Sequence, residues 1–559
     1  MCKGRVRARA WSVFGILLFS LVPAVFASPE VALRVGFDEQ VLRLRYAPFQ
    51  IEIAGLGDSI QGRLIVEQTR GLPGARQHQV THIVAEGTLG NGIIEATLPV
   101  MEPLNPIRVI LEDQHGAVLA ERVESLRLNI RDWTFPVIVG EALHIEQTEA
   151  IIDASELPAD WWAYDTADSV WLVEPVISAT KIEALGDWVV SGGSLVLFSG
   201  ADFPMIDSPV LRELMPVREP RLRQLADGTY ILEGTPKERA RVIATRSEDT
   251  LCWQRDLGAG SIAVVSLRMQ DLTDEEVLAI HDAVPSAARV PAVERMTFEA
   301  LRSTVVPRPS YLVTPLLGAA LLVGLLIFAR FGPRRKSSLI PVSLMAFALG
   351  AAVWSGFYAN QHKTFIALYD VRTSVQVLSS FGTNIAWHTL YSTAPIDVTI
   401  EHPDGSYPLP SAVPTVRGVM FSSESEIGAS RFTLQQDERR DVRVNGKERL
   451  DIRASLDGSR VEVANMTREE IPEAYAFVGE EVYRLDALRP GTFTYSLEPT
   501  PPLLALSGML RTIQDWLPLK SGGLWLLILH DEEVAVDDSE ETHRKVRHVT
   551  MRFVEGAAS

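Results

Sequence analysis

The sequence predicts a multidomain α+β membrane protein. Its expected parts are an N-terminal β-sandwich, a middle α/β domain, a two-helix transmembrane hairpin and a C-terminal β-rich domain. Three observations predict this. Residues 311–329 and 337–361 carry no charge, and only Arg330, Arg334, Arg335 and Lys336 punctuate the chain between them. Short apolar or alternating segments, separated by Gly-rich turns, fill residues 30–132 and return over 362–500. Between 133 and 290, apolar runs bracket a segment of helical periodicity, the order expected of a βαβ unit.

Residues 1–27 read as a signal peptide. Lys3, Arg5, Arg7 and Arg9 precede an apolar stretch from Trp11 to Val22, and small residues Val25 and Ala27 precede Ser28. This order predicts cleavage after Ala27. A retained N-terminal anchor is the other reading. Either way, residues 28–310 are expected outside the cytoplasm.

Residues 28–132 are expected to form the β-sandwich. Gln50-Ile-Glu-Ile53, Arg63-Leu-Ile-Val66, Ile93 to Leu98 and Ile107 to Leu111 have strand length and pattern. Gly55 to Asp58, Gly71 to Gly74 and Gly90-Asn-Gly92 supply the turns.

Residues 133–304 are expected to form the α/β domain. Phe135–Val139, Ser169–Val173 and Ser194–Phe198 are apolar strands, and Ala179 to Val190 is a helix between the last two. Ile182, Leu185, Trp188 and Val189 fall on one face of that helix. Gly192-Gly193 supplies its left-handed stop.

The hairpin comprises helices 311–329 and 337–360 joined by the basic turn 330–336. About 20 apolar residues suffice to cross a bilayer. The basic turn is expected in the cytoplasm, with Arg330, Arg334, Arg335 and Lys336 as topology determinants. Neither span holds an ionisable group, which argues against an ion or proton path. Residues 361–559 are expected to be the second extracytoplasmic, β-rich domain. Asn445-Gly446 and Asp457-Gly458 mark hairpins there.

Charge and cysteine content narrow the chemistry. A net charge of −18 disfavours nucleic acid as a partner. Of the two cysteines, Cys2 lies in the leader, so Cys252 has no partner for an intramolecular disulfide. His78 and His82 share a strand face but lack a third ligand at metal spacing, and the acidic run Asp531–Glu541 lacks the spacing of a calcium loop. No metal and no cofactor are expected.

Asp168-Ser-Val-Trp-Leu-Val173, Leu185 to Gly200 and Leu257-Gly-Ala-Gly-Ser261 resemble the class I glutamine amidotransferase-like domain of uncharacterised bacterial membrane proteins. Val461 to Thr467 and Leu488-Arg-Pro-Gly491 are similar to their C-terminal part. The resemblance implies a flavodoxin-like α/β fold and a multi-pass place in a bacterial inner membrane, with both large domains periplasmic. It also implies an inactive relative of the enzyme. Active amidotransferases need a cysteine on the turn after a strand, and the corresponding turn here is Phe198-Ser199-Gly200-Ala201. No catalytic residue is therefore assigned.

Ligands of open α/β sheets bind beyond the carboxyl ends of strands. Glu174, Ser199, Gly200 and Ala201 occupy two such ends and form the candidate pocket. The expected function is a non-enzymatic envelope scaffold or regulator that presents two lobes to a protein or envelope polymer. One alternative is a hydrolase or ligand sensor using the Ser199 pocket, with His281 and Asp282 as the nearest downstream partners. Another is an accessory subunit working with an ATPase or permease. The oligomeric state stays open.

Overall fold

The computed structural model describes residues 28–70, 78–101, 105–126, 130–140, 149–173, 177–199, 209–284, 292–303, 364–377, 381–402, 406–410, 421–426, 428–434, 438–479, 481–497, 524–534 and 542–558.

Strand dominates these residues. The helices are short: α1 (Ala179–Ser191), α2 (Pro209–Leu214), α3 (Asp274–Ala283) and α4 (Ala292–Ser303). The longest has 13 residues. At about 1.5 Å per residue it spans roughly 20 Å, short of the roughly 30 Å hydrocarbon layer. Among the described residues no helix is long and apolar enough to cross a membrane. The sequence expectations of a fold built on a helical hairpin, a membrane-integral chain and a multi-pass inner-membrane location are corrected accordingly. The finding in their place is a mostly β-stranded fold. The segments 1–27, 311–329, 330–336 and 337–360, with Arg330, Arg334, Arg335 and Lys336, lie outside the described residues.

The N-terminal region is built from two sheets facing each other. The smaller holds Glu30–Val35, Arg45–Ala54 and Gly92–Val100, all antiparallel. The larger runs in the spatial order Ile396–Glu401, Ala429–Leu434, Phe421–Glu426, His78–Leu89, Ile60–Arg70, Ile107–Asp113, Val118–Glu124. Inward residues of both, among them Phe49, Ile51, Leu64, Val66, Leu98 and Val109, make one core. Alternation places every second residue on that face. Three strands of the larger sheet come from beyond residue 395, joined by a parallel pairing of Phe421–Ser425 with His78–His82.

The middle sheet has seven strands. Ala150–Ile152, Phe135–Val139, Ala167–Leu172, Ser194–Phe198 and Gly260–Val265 are parallel neighbours, and Asp249–Leu257 and Ala240–Arg246 add an antiparallel edge. Helix α1 starts at Ser178, whose hydroxyl accepts from Lys181 N, and stops at Gly192 with φ +132°. It is buried on two sides. Ile182, Leu185, Trp188 and Val189 face the sheet core, while Gly186 and Asp187 meet a strand of the C-terminal region. A Cβ on Gly186 would lie 2.3 Å from the Phe381 ring. Asp187 Oδ1 accepts from Gly382 N at 3.0 Å.

The C-terminal region centres on one large sheet. Thr364–Val377 lies between Phe381–Ser392 and Thr542–Ala558, antiparallel to the first and parallel to the second, and Glu438–Gly446 pairs with the far side of Phe381–Ser392. One face carries Tyr369, Val371, Ile385 and Trp387 into the core shared with α1 and α4. The other face carries Asp370, Arg372, Ser374, Asn384, Ala386 and His388, which the register sets side by side.

Candidate functional site

Ser199 ends the strand Ser194–Phe198 and is buried. Its hydroxyl donates to the Val265 carbonyl at 2.6 Å, and its amide donates to the same oxygen at 3.1 Å. Both protons therefore stitch two neighbouring strand ends together. The Ser199 hydroxyl is thus directed at Val265, while the His281 ring packs 6.0 Å from that of Trp171 and its Nδ1 lies 3.5 Å from Asp282 Oδ1. A nucleophilic serine needs a base within hydrogen-bond reach of its oxygen. Ser199 instead donates its hydroxyl hydrogen bond to a backbone carbonyl. Glu174, Gly200 and Ala201 lie outside the described residues.

Cys252 offers no replacement nucleophile. It is fully buried, and burial pushes its thiol up to about 12, so the thiolate is absent near neutral pH. Among the described residues no group of three His, Cys, Asp or Glu is placed to hold a metal. His82 is buried edge-on to Tyr407, and burial lowers its imidazole to about 3.

The most concentrated buried chemistry lies where the three regions meet. Arg45 opens a strand of the N-terminal region, Asp165 belongs to the buried 3-10 turn Trp161–Thr166, Glu294 begins α4, and Arg443 lies on Glu438–Gly446. Arg443 Nη2 is 2.6 Å from Asp165 Oδ2, and Arg443 Nη1 also pairs with Glu294. Arg45 Nη1 lies 2.8 Å from Glu294 Oε2 and 3.4 Å from Asp165 Oδ1. Two cations thus meet two anions with no excess charge. Burial raises the Asp165 carboxyl, but Arg443 and Arg45 outweigh that and hold it below its ordinary range.

Tyr46 extends the network. The Arg443 guanidinium sits 5.0 Å from its ring centroid. Its hydroxyl donates to the Tyr407 carbonyl at 2.7 Å and accepts from Ser406 Oγ at 2.9 Å. Ser406 Oγ in turn accepts from Asn445 N at 2.8 Å. Burial pushes the Tyr46 phenol up to about 12, so it stays a neutral donor. Trp161 Nε1 donates to Gly446 O at 2.8 Å, a further tie between the middle and C-terminal regions. Arg443 Nε and Asn445 Oδ1 lack a hydrogen-bond partner, and the other bonds named here all join one part of the chain to another. The arrangement can fasten; it has no nucleophile or poised acid to perform a reaction.

Sequence reasoning did not find this cluster. Arg45 and Arg443 are 398 positions apart in the chain, and no local motif links them. The adjoining aromatic run Trp161-Trp162-Ala-Tyr164 was the available signal of burial beside Asp165.

No protein-family model and no curated protein matches the chain. Among solved structures it is similar to the exo-β-1,4-mannosidase Op5Man5 from Opitutaceae bacterium strain TAV5, with 13% identity and a TM-score of 0.21 over 32% of this chain and 41% of that one. It is also similar to the cytoplasmic protein STM3548 from Salmonella typhimurium, with 11% identity and a TM-score of 0.21 over 27% of this chain and 99% of that one. The Fcho1 Mu homology domain of Danio rerio with bound Eps15 peptide matches at 9% identity and a TM-score of 0.21, over 35% of this chain and 97% of that one. At these scores none carries a fold or functional assignment.

Proposed function

We propose that this chain is a non-enzymatic scaffold, a relative of amidotransferase-like domains that has lost their chemistry and presents β-rich lobes to a protein or polymer partner. The observation that carries the reading is the Ser199 hydroxyl, which donates to the Val265 carbonyl at 2.6 Å where an active relative would hold a free cysteine. The buried thiol of Cys252 supports it. So does the ion cluster, because two arginines and two acids from distant segments fix the regions to one another.

The test is cross-linking in cells followed by purification of the full chain, run in parallel on wild type and Ser199→Ala. The scaffold reading expects the same partner to be recovered with both. A fluorophosphonate probe should leave wild type unlabelled. Labelling that disappears in Ser199→Ala, or loss of the partner in that variant, would replace the scaffold with a serine hydrolase.

A further inference from the structure

The strand Gly491–Ser496 ends the C-terminal sheet. Its inner neighbour is Arg460–Asn465, and among the described residues no strand pairs with its outer side. Leu497 N donates to the Ser459 carbonyl at 3.0 Å. Hydrogen-bonding direction alternates along an antiparallel pair. The N–H and C=O groups of Phe493 and Tyr495 therefore point at Arg460–Asn465, and those of Thr492, Thr494 and Ser496 point away from the sheet. These three residues are exposed.

An open row of backbone donors and acceptors is a template for another strand, and proteins blunt it with charge, proline, a bulge or brevity. Among the described residues, the other sheet-ending strands are blunted. Each one longer than three residues carries at least one charged side chain, such as Glu121, Arg241, Asp397 or Arg484. Ala240–Arg246 is bulged as well. Gly491–Ser496 reads Gly-Thr-Phe-Thr-Tyr-Ser, with no charge and no proline, and its register against its neighbour is unbroken.

The pattern is self-complementary. Let two copies meet antiparallel about a two-fold axis at Thr494. Thr494 then faces its own counterpart and Thr492 faces Ser496, so every outward residue uses both of its backbone groups. The same register sets Phe493 of each copy against Tyr495 of the other, in the closer, non-hydrogen-bonded positions where aromatic pairs are favourable. Phe493 pairs with Val463 on the core side of the sheet yet stays 41% exposed, so a second ring beside it gains apolar burial. Charge points to the same occupant. The chain carries a net charge of −18, so two copies repel over much of their surface. Along this edge no like charges are brought face to face, because Arg460 and Glu462 lie one strand further from the axis.

We propose that this edge binds a second copy of the chain, joining two C-terminal sheets into one continuous sheet across a two-fold axis at Thr494. The interface does not rest on the scaffold reading. Capture of a foreign partner and self-association are read by different assays and can fail separately.

The test is sedimentation equilibrium on the full chain. A strand of six residues makes a small interface, so the Kd is expected on the order of 100 µM. Wild type should pass from monomer to dimer across that concentration. Thr494→Lys sets two ammonium groups face to face at the axis, and Thr494→Glu sets two carboxylates there. Each variant alone should weaken the dimer by about tenfold or more. An equal mixture of the two places Lys against Glu and should restore association. Thr492→Lys combined with Ser496→Lys in one chain makes the same repulsion on either side of the axis and should also weaken the dimer. Thermal melting checks that each variant is folded. A wild type that stays monomeric overturns the proposal and leaves the edge to a strand of another protein. So does a dimer that the folded single or double variants leave unchanged, or a Lys and Glu mixture that associates no better than either variant alone.

Discussion

Arg443 Nη2 and Asp165 Oδ2 lie 2.6 Å apart across 278 positions of sequence, with both side chains almost wholly out of water. Arg443 alternates with Val442 and Val444 on its strand, so those valines face one side of the sheet and Arg443 the other. That other side is covered too, by Tyr46, Asp165 and Glu294. A charged side chain in such a place is tolerated only with full compensation. The compensating groups come from three different segments, so the cluster can exist only when those segments are docked.

Removing one member should therefore be severe. Arg443→Met leaves Asp165 and Glu294 with Arg45 as their remaining cation within the cluster. Breaking a buried pair in this way costs about 3–5 kcal/mol. Urea unfolding of the full chain should show a lower midpoint by that amount. Arg443→Met combined with Asp165→Leu should recover part of the loss, because fewer buried charges remain uncompensated. A loss below about 1 kcal/mol in the single variant would show that the cluster does not fasten the regions.

Gly260 should resist any side chain. A Cβ there would sit 2.1 Å from the Gly193 carbonyl oxygen and 2.3 Å from that of Val189. Both obstacles are backbone, so neither can swing away. Gly260→Ala should destabilise by about 1–3 kcal/mol, the usual range for overpacking, and more if the strand shifts. Thermal melting of Gly260→Ala against wild type checks this. An unchanged melting temperature would mean that α1 and the strand Gly260–Val265 are further apart than described.

Asp187 predicts a substitution that stabilises. Burial pushes its carboxyl up to about 7, although the Gly382 amide and the distant Lys447 and Arg449 pull it down. Its Oδ2 has no hydrogen-bond partner. A carboxyl raised in the folded state favours folding at low pH, and that contribution is lost as pH rises from its unfolded value near 4 through about 7. Asp187→Asn keeps the acceptor for Gly382 N and removes the buried charge. At pH 8 the variant should be more stable than wild type by on the order of 2 kcal/mol or more, with the gap closing toward pH 5. A variant less stable than wild type at pH 8 would refute the raised carboxyl.

The contrast between α1 and the ion cluster separates what was legible in the sequence from what was not. The apolar period of Ile182, Leu185, Trp188 and Val189 and the stop at Gly192 are local, so they place a helix from a dozen residues. The burial of Gly186 and Asp187 is not local, since it depends on Phe381 and Gly382 almost 200 positions later. Ser199 was legible as a strand end but not as a donor to Val265, because parallel neighbours are set by topology rather than spacing. Arg443 carries no signal in the sequence, since nothing near it in the chain announces a second covering layer. The apolar content of 311–361 was equally conspicuous, yet apolarity describes a segment's solubility and not its neighbours. The described structure is organised by strand pairing across long distances, which composition does not encode.

His82 gives the clearest pH dependence. It lies fully buried on His78–Leu89, edge-on to Tyr407, with neither ring nitrogen hydrogen-bonded within the protein. Burial lowers its imidazole from about 6.5 to about 3. The unfolded chain therefore binds a proton at this position throughout that interval while the folded chain does not. Stability from a neutral His82 is present above pH 6.5 and is lost as pH falls toward 3. At pH 5 the loss from this residue is about 2 kcal/mol, given roughly 1.4 kcal/mol per pKa unit. His82→Phe keeps an aromatic ring against Tyr407 and has nothing to protonate. Urea unfolding at pH 7 and pH 5 should show wild type losing more stability than His82→Phe between the two, by about that amount. Equal losses in the two proteins would mean that His82 gains a hydrogen-bond partner on protonation and is not the acid-sensitive point where the N-terminal sheet meets Tyr407.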